Sequence, residues 1–326
     1  MVISQFLRRI FLALVLGLFF IGKAGATPEQ DFQTQAQTDY VTITNYVDAQ
    51  FAKSMGFITT LGWNTPPSVF DIVSGPRVEV GVGAGADLMG LPNLNNLSLG
   101  AINLGSNFNL PSTIPFPFPV ISGRVGLANG LDFGMKFLYL PMITLPDVNF
   151  SGNFWGWGLD LRYKVVDGVN LPTVTVGVSL DSMQGNFSLG TAINQTSTYN
   201  DGGTSYPNIN FTGTNNYTLD WNTKSFGAQV QVGKDLKVLY PFAAIGFQRN
   251  SGSITSTMTG NGTLNIPGSA TSPSNVNVSA TSTDPPVYFE PKYVLGLDFG
   301  QGLHWAVVGE SNGTDIAGST SFRVQF

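Results

Sequence analysis

From Ser319 to Phe326 the side chains alternate without a break, and this constrains the fold more than any other feature of the chain. Thr320, Phe322, Val324 and Phe326 share one face, while Ser319, Ser321, Arg323 and Gln325 share the other. That is the period of a β-strand with one apolar and one polar side. The same signature recurs upstream. Val78, Val80, Val82, Ala84, Ala86 and Leu88 alternate with Arg77, Glu79, Gly81, Gly83, Gly85 and Asp87. Trp155 to Val165, Val174 to Leu180, Phe226 to Val232 and Phe289 to Phe299 repeat it. Phe289 to Phe299 has the roughly 9–11 residues with which a tilted strand crosses a bilayer, and Phe226 to Val232 is somewhat shorter. In a soluble sandwich the apolar face is the inside; in a membrane barrel it is the outside, so alternation alone leaves both open. Two details favour the barrel. The polar faces hold glycines where soluble sheets display Lys and Glu, and the apolar faces carry aromatics near strand ends (Tyr139, Trp155, Trp157, Tyr163, Tyr293, Phe299, Phe326), as interfacial girdles require.

The other end of the chain reads as an export signal. Arg8-Arg9 precede an apolar run from Ile10 to Ile21, and Ala24-Gly25-Ala26 forms a small-x-small cleavage site, so residues 1–26 are expected to be a removable leader. With that leader, the final strand resembles the closing strand of bacterial outer-membrane β-barrels, which carries apolar residues at alternate positions back from a C-terminal Phe. Phe322, Val324 and Phe326 match; Thr320 and Gly318 depart from the preferred pattern. The resemblance implies an outer-membrane location in a diderm bacterium, insertion by the barrel-assembly machinery with those three residues as the signal, and outer-membrane lipid as a partner.

Composition narrows the functions. Without the leader's three cations, 12 basic residues face 20 acidic ones, a net charge near −8 that argues against nucleic acid. Only 11% of residues are charged, against about a quarter in soluble domains. The chain has no cysteine, which excludes disulfides and thiolate metal sites. After the leader no apolar stretch is long enough for a membrane-spanning helix.

One hairpin fixes its own register. Val120–Leu127 and Leu131–Leu140 flank Ala128-Asn129-Gly130, and a three-residue loop with Gly130 left-handed pairs Leu127 with Leu131. Val125, Leu127, Leu131, Phe133 and Phe137 then share one face, and Arg124, Gly126, Asp132 and Lys136 the other. Short connections (128–130, 167–172, 234–238, 300–302) alternate with long ones (91–119, 142–152, 190–217, 251–286, 312–316). The expected fold is therefore all-β: a transmembrane antiparallel β-barrel of about ten strands, within a range of 8–14, occupying residues 67–326. Pro241 requires a strand end, an edge or a bulge. The Ser/Thr/Asn-rich stretch 251–286 either extends strands above the membrane or stays irregular.

Residues 27–66 differ. Phe32, Ala36, Tyr40, Ile43, Val47, Phe51 and Met55 recur at steps of four and three, predicting an amphipathic helix that starts at Thr27-Pro28-Glu29 and ends before Pro66-Pro67. Such a helix could cap the periplasmic mouth, plug the lumen, or serve as a plain linker. A luminal N-terminal element also occurs in the long-chain fatty-acid transporter family, which this chain resembles only in architecture, being shorter and lacking its N-terminal motif.

No catalytic constellation is evident. The one histidine, His304, has no serine two positions away and reads as a mouth residue. Asp201-Gly202-Gly203 alone is weak as a calcium loop. No cofactor and no metal are expected. The lumen-lining candidates are the charges on the polar faces: Arg77, Glu79, Arg124, Asp132, Lys136, Asp160, Arg162, Lys164, Asp181, Glu290, Lys292, Asp298 and Arg323. Their interleaved signs fit either a salt-bridged filling of a narrow barrel or a polar path that orients a solute. About ten strands is near the size whose interior side chains fill, so wide diffusion is not expected. The expectation is narrow or gated passage of a small or hydrophobic solute. The alternative is a non-catalytic, adhesin-like surface barrel whose long loops bind a partner.

Overall fold

A computed structural model describes residues 27–63, 77–90, 97–101, 113–127, 130–145, 149–166, 171–201 and 204–326; the expected leader lies outside them. Among the described residues one helix, α1 (Pro28–Thr59), precedes eleven strands: β1 (Val78–Gly90), β2 (Thr113–Gly126), β3 (Leu131–Leu145), β4 (Phe150–Val166), β5 (Thr173–Asp201), β6 (Thr204–Gly233), β7 (Leu239–Asn265), β8 (Ser274–Asp284), β9 (Phe289–Gln301), β10 (Leu303–Ser311) and β11 (Ile316–Gln325). Ten of them close an antiparallel ring, in which β11 returns to pair with β1 and β7 pairs with β9. The eleventh, β8, pairs only with the far half of β7, opposite Ile254–Leu264, while β9 takes the near half, opposite Leu239–Arg249. β8 and β9 thus form one broken column of a ten-column barrel. Phe326 closes the ring: its N–H donates to Val78 and its carbonyl accepts from Val78.

Apolar side chains cover the outside at the membrane level. Val80, Ile121, Phe133, Phe137, Trp157, Val178, Val230, Ile245, Leu295, Trp305 and Phe322 are all exposed. A patch of this extent has no place in water and marks a bilayer-facing belt, so the barrel is transmembrane. The three longest strands then invert their pattern without changing parity. On β6, Phe226, Ala228, Val230 and Val232 face out while Ser225, Gly227, Gln229 and Gln231 face in. Farther from the short turns, Leu219 and Trp221 are buried and Asp220, Asn222 and Lys224 are exposed. Below the switch the wall is built for lipid outside; above it, for water outside.

That inversion corrects one expectation. Residues 190–201 and 204–217 are strand and not loop: β5 and β6 run paired from Thr173↔Gly233 to Asp201↔Thr204. Residues 251–284 likewise extend β7 and supply β8. The Ser/Thr/Asn content reflects an outer face that meets water above the belt. The expected connections 91–119 and 142–152 likewise contain strand residues, since β2 begins at Thr113, β3 runs to Leu145 and β4 begins at Phe150. The hairpin register matches the sequence reading. Leu127 N–H donates to Leu131 carbonyl at 2.7 Å, Val125 pairs with Phe133, and Gly130 has φ +78°. Pro241 is the third residue of β7, near its start.

Candidate functional site: the occupied lumen

The helix begins as its sequence requires. Thr27 is the N-cap, its hydroxyl accepts from Gln30 N–H, and Gln30 reciprocates to Thr27 N–H, with Pro28 in the first turn. Its apolar stripe is buried against the barrel interior. Ile43, Val47, Phe51, Met55 and Ile58 pack with Phe118, Phe154, Leu219, Trp221 and Ile254. One level higher, Phe32, Ala36 and Tyr40 pack with Ile209, Phe211, Leu264, Val276 and Val278 above the belt. The helix therefore runs inside the barrel, from the long-strand end toward the short-turn end. It does not sit across the short-turn mouth.

Where α1 stops, the carbonyls from Thr59 onward need partners from outside the helix, and its last turn contains no cation of its own. The barrel supplies them. Lys136 donates to the carbonyls of Thr59 (3.3 Å) and Leu61 (2.5 Å), Lys292 to that of Thr60 (2.9 Å), and Arg162 to that of Trp63. Glu310 accepts from Gly62 N–H at 3.3 Å. Trp63 donates its indole N–H to Asp181 at 2.5 Å, and the Lys136 ammonium lies 5.1 Å from the Trp63 ring. Thr59 and Thr60 hydroxyls bond Thr223 and Gln248, each at 2.6 Å.

The charges that hold the helix end are themselves paired. Arg124 bridges Asp132 (3.0 Å) and Asp160 (3.2 Å), and Arg162 binds Asp160 at 2.6 Å. Lys136 meets Asp181 at 2.9 Å and Lys292 meets Glu310 at 3.0 Å. Arg323 joins Glu79 (2.9 Å) to Asp298 (2.5 Å), and His304 sits 2.9 Å from Asp298. Glu290 accepts from the amides of Gln248, Asn250 and Asn312 at 2.7–2.9 Å. A buried ion carries a desolvation cost that only good geometry offsets, so this network is tied to one arrangement of helix and wall.

Of the thirteen lumen candidates, eleven are buried on the inner face: Glu79, Arg124, Asp132, Lys136, Asp160, Arg162, Asp181, Glu290, Lys292, Asp298 and Arg323. Arg77 and Lys164 lie at the short-turn rim, half-buried. The sequence reading omitted Thr60, Trp63, Gln248, Asn250, Glu310 and Asn312. Extending the inward parity of β7 from Phe242 would have found Gln248 and Asn250. Nothing in the sequence ties Trp63 to Asp181. Between the helix end and the wall, next to Thr60, Trp63, Arg162, Gln248 and Lys292, is a cavity of about 20 Å³, room for about one water. Among the described residues no group of acids and histidines is arranged to hold a metal ion.

Above the belt the helix also covers an open strand edge. Gln37 donates to Ser279 carbonyl and accepts from Ser279 N–H at 3.1 Å, while Gln33 donates to Asn277 carbonyl at 3.1 Å. Side-chain amides one helical turn apart thus occupy the backbone groups that a further strand would pair with. Two carboxyls on this side are pushed upward. Burial raises Asp48, opposed by hydrogen bonds from Ser256 and Ser282 and reinforced by Asp284. Burial also raises Asp315, opposed by Ser54 and Asn312.

Residues 20–306 match a family described as "Family of unknown function (DUF6588)", and the chain belongs to it. No curated protein matches it in sequence. Among solved structures, the chain is similar to a FadL homologue of Pseudomonas aeruginosa, at 10% identity over 87% of this chain and 98% of that one, with a TM-score of 0.25. It is also similar to the translocator domain of the autotransporter NalP from Neisseria meningitidis, at 12% identity over 89% and 99%, TM-score 0.33. The attachment invasion locus protein Ail of Yersinia pestis follows at 8% identity over 77% and 97%, TM-score 0.23. Scores this low add no functional argument.

Proposed function

We propose that this DUF6588 barrel resides in the outer membrane of a diderm bacterium and is held shut by its own helix, which moves to admit a small or hydrophobic solute. One observation carries the reading: the carbonyls at the end of α1 are gripped by Lys136, Arg162 and Lys292 from three different parts of the wall. A merely filled barrel needs no such grip on a separate segment, since wall side chains can pair with one another. The grip is made of hydrogen bonds and ion pairs, which can be broken and remade. The leader would deliver the chain through the export pathway, and Phe322, Val324 and Phe326 would present it to the barrel-assembly machinery. His304 takes part in the Asp298–Arg323 network, and we assign it no catalytic role.

Planar-bilayer recording tests this. Protein lacking residues 27–63 is expected to conduct steadily while the intact chain stays closed. A folded deletion variant that is as silent as the intact protein would refute the proposal. A second reading, a surface barrel that binds a partner, draws on the polar outer face of β5–β8 above the belt; it predicts that binding survives when the helix is locked in place.

A further inference from the structure

The strands keep nearly all their cations inside. Of the eight basic residues on β1–β11, six point into the lumen: Arg124, Lys136, Arg162, Lys164, Lys292 and Arg323. The other two, Lys224 on β6 and Arg249 on β7, face outward and are exposed. These two are neighbours. Lys224 lies opposite Ser251, two residues beyond Arg249, so the pair is diagonal across one ladder, with about 7–8 Å between backbones. Among the described residues neither side chain has an ion-pair partner. The single acid on either strand, Asp220, lies four residues from Lys224, about 13 Å along the strand. Arg249 stacks on the Tyr288 ring, 4.7 Å from its centroid, which fixes the plane of the guanidinium and leaves its N–H edge to an acceptor.

Their depth in the membrane gives the acceptor. Arg249 shares a register row with Phe226 on one side and Phe289 on the other, and Phe289 stacks on Phe247 at 5.2 Å. All three rings are exposed at the edge of the apolar belt. On the far side of the pair the outward residues are Ser182, Gln184, Asn222, Ser251 and Ser253, uncharged hydroxyls and amides. A lipid whose acyl chains lie along the belt therefore brings its phosphate to Lys224 and Arg249. A phosphate group carries about −1.5 to −2 charges, which two cations match, the arginine by paired hydrogen bonds and the lysine as a point charge. A glycerophospholipid headgroup ends near that level and leaves the hydroxyl and amide rows unused. A phosphorylated sugar reaches both.

We propose that Lys224 and Arg249 bind one phosphate of an acylated sugar lipid in the leaflet on the long-strand side, its acyl chains over Phe226, Phe247 and Phe289. The leaflet rests on the outer-membrane reading, and nothing in the site depends on movement of the helix. Native mass spectrometry tests it, with the detergent-solubilised full chain incubated with equal diphosphoryl lipid A and phosphatidylglycerol. The wild type should retain lipid A over phosphatidylglycerol by about fivefold or more. Lys224→Glu with Arg249→Glu should bring that ratio to about one. Lys237→Glu, a charge change in the short turn at the other end of β6 and β7, should leave it unaltered. If the double glutamate variant does not fold, Lys224→Gln with Arg249→Gln takes its place with the same expected loss. No preference for lipid A in the wild type, undiminished preference in the folded double variant, or an equal loss in Lys237→Glu would overturn the assignment. A silent bilayer recording from the helix deletion would refute the gate and leave this retention unchanged, so the two readings fail separately.

Discussion

Leu180 and Phe226 lie directly opposite each other on β5 and β6, and they are the last outward apolar pair before the wall turns polar. The next outward pair is Ser182 with Lys224. On β7 the change falls between Phe247 and Arg249, and Arg249 stacks 4.7 Å from the Tyr288 ring where the β8–β9 column breaks. These residues mark one edge of the hydrocarbon layer.

A charge should therefore be costly on one side of that edge and tolerated on the other. Val230→Arg is expected to lower barrel stability by about 2–4 kcal/mol. Asn222→Arg, on the same face eight residues away, should stay within about 0.5 kcal/mol. Urea unfolding in vesicles measures both, and equal costs would misplace the edge.

Lys136 is the most exacting contact of the helix end, because it satisfies two carbonyls and Asp181 together. Lys136→Met strands a buried carboxylate, and breaking such a pair costs about 3–5 kcal/mol. The loss should concentrate on residues 55–63, seen as faster backbone hydrogen exchange there than in β10. Lys136→Met with Asp181→Leu should recover stability but not the carbonyl contacts, so exchange at Leu61 would stay fast. Slow exchange at Leu61 in both variants would mean that the grip is unimportant.

How much of this was legible beforehand follows from which contacts are local. The Leu127–Leu131 hairpin, the Thr27 cap and the stripe from Phe32 to Met55 depend on neighbours within a few residues, and the sequence displays them. The alternation of Phe226 to Val232 likewise gives the outer face. The upper half of β5 and β6 was misread because parity persists there while polarity exchanges sides: Leu219 and Trp221 face in where Ser225 and Gly227 face in below. A reader who expects apolar residues outside sees only a Ser/Thr/Asn-rich loop. The helix's position was hidden for another reason. Its carbonyl partners, Lys136, Arg162 and Lys292, lie from about 75 to 232 residues away along the chain. No local pattern carries that pairing.

Gln37 offers a test of the covered edge. Gln37→Ala removes both bonds to Ser279 without disturbing the apolar stripe. A hydrogen bond of net worth about 0.5–1.5 kcal/mol corresponds to Ser279 amide exchange faster by about two- to thirteenfold. Exchange at Asn261, inside the β7–β8 ladder, should not change. Unchanged Ser279 exchange would mean that water serves the edge as well as the helix does.

Asp48 gives the upper helix a pH dependence with a definite sign. It is fully buried, and one of its oxygens accepts from Ser256 at 2.9 Å. Burial first, and then the Asp284 charge, hold its pKa in the folded protein above the value in the unfolded chain, despite the Ser256 and Ser282 hydroxyls. A raised carboxyl favours folding below its unfolded pKa of about 4, and the contribution is lost as pH rises through the folded value. Asp48→Asn keeps the acceptor for Ser256 and removes the charge. Its melting temperature should exceed that of the wild type at pH 8, with the difference shrinking toward zero near pH 3. A difference that is constant across this range would show that Asp48 is not charged at neutral pH, or that its ionisation is not felt by the fold.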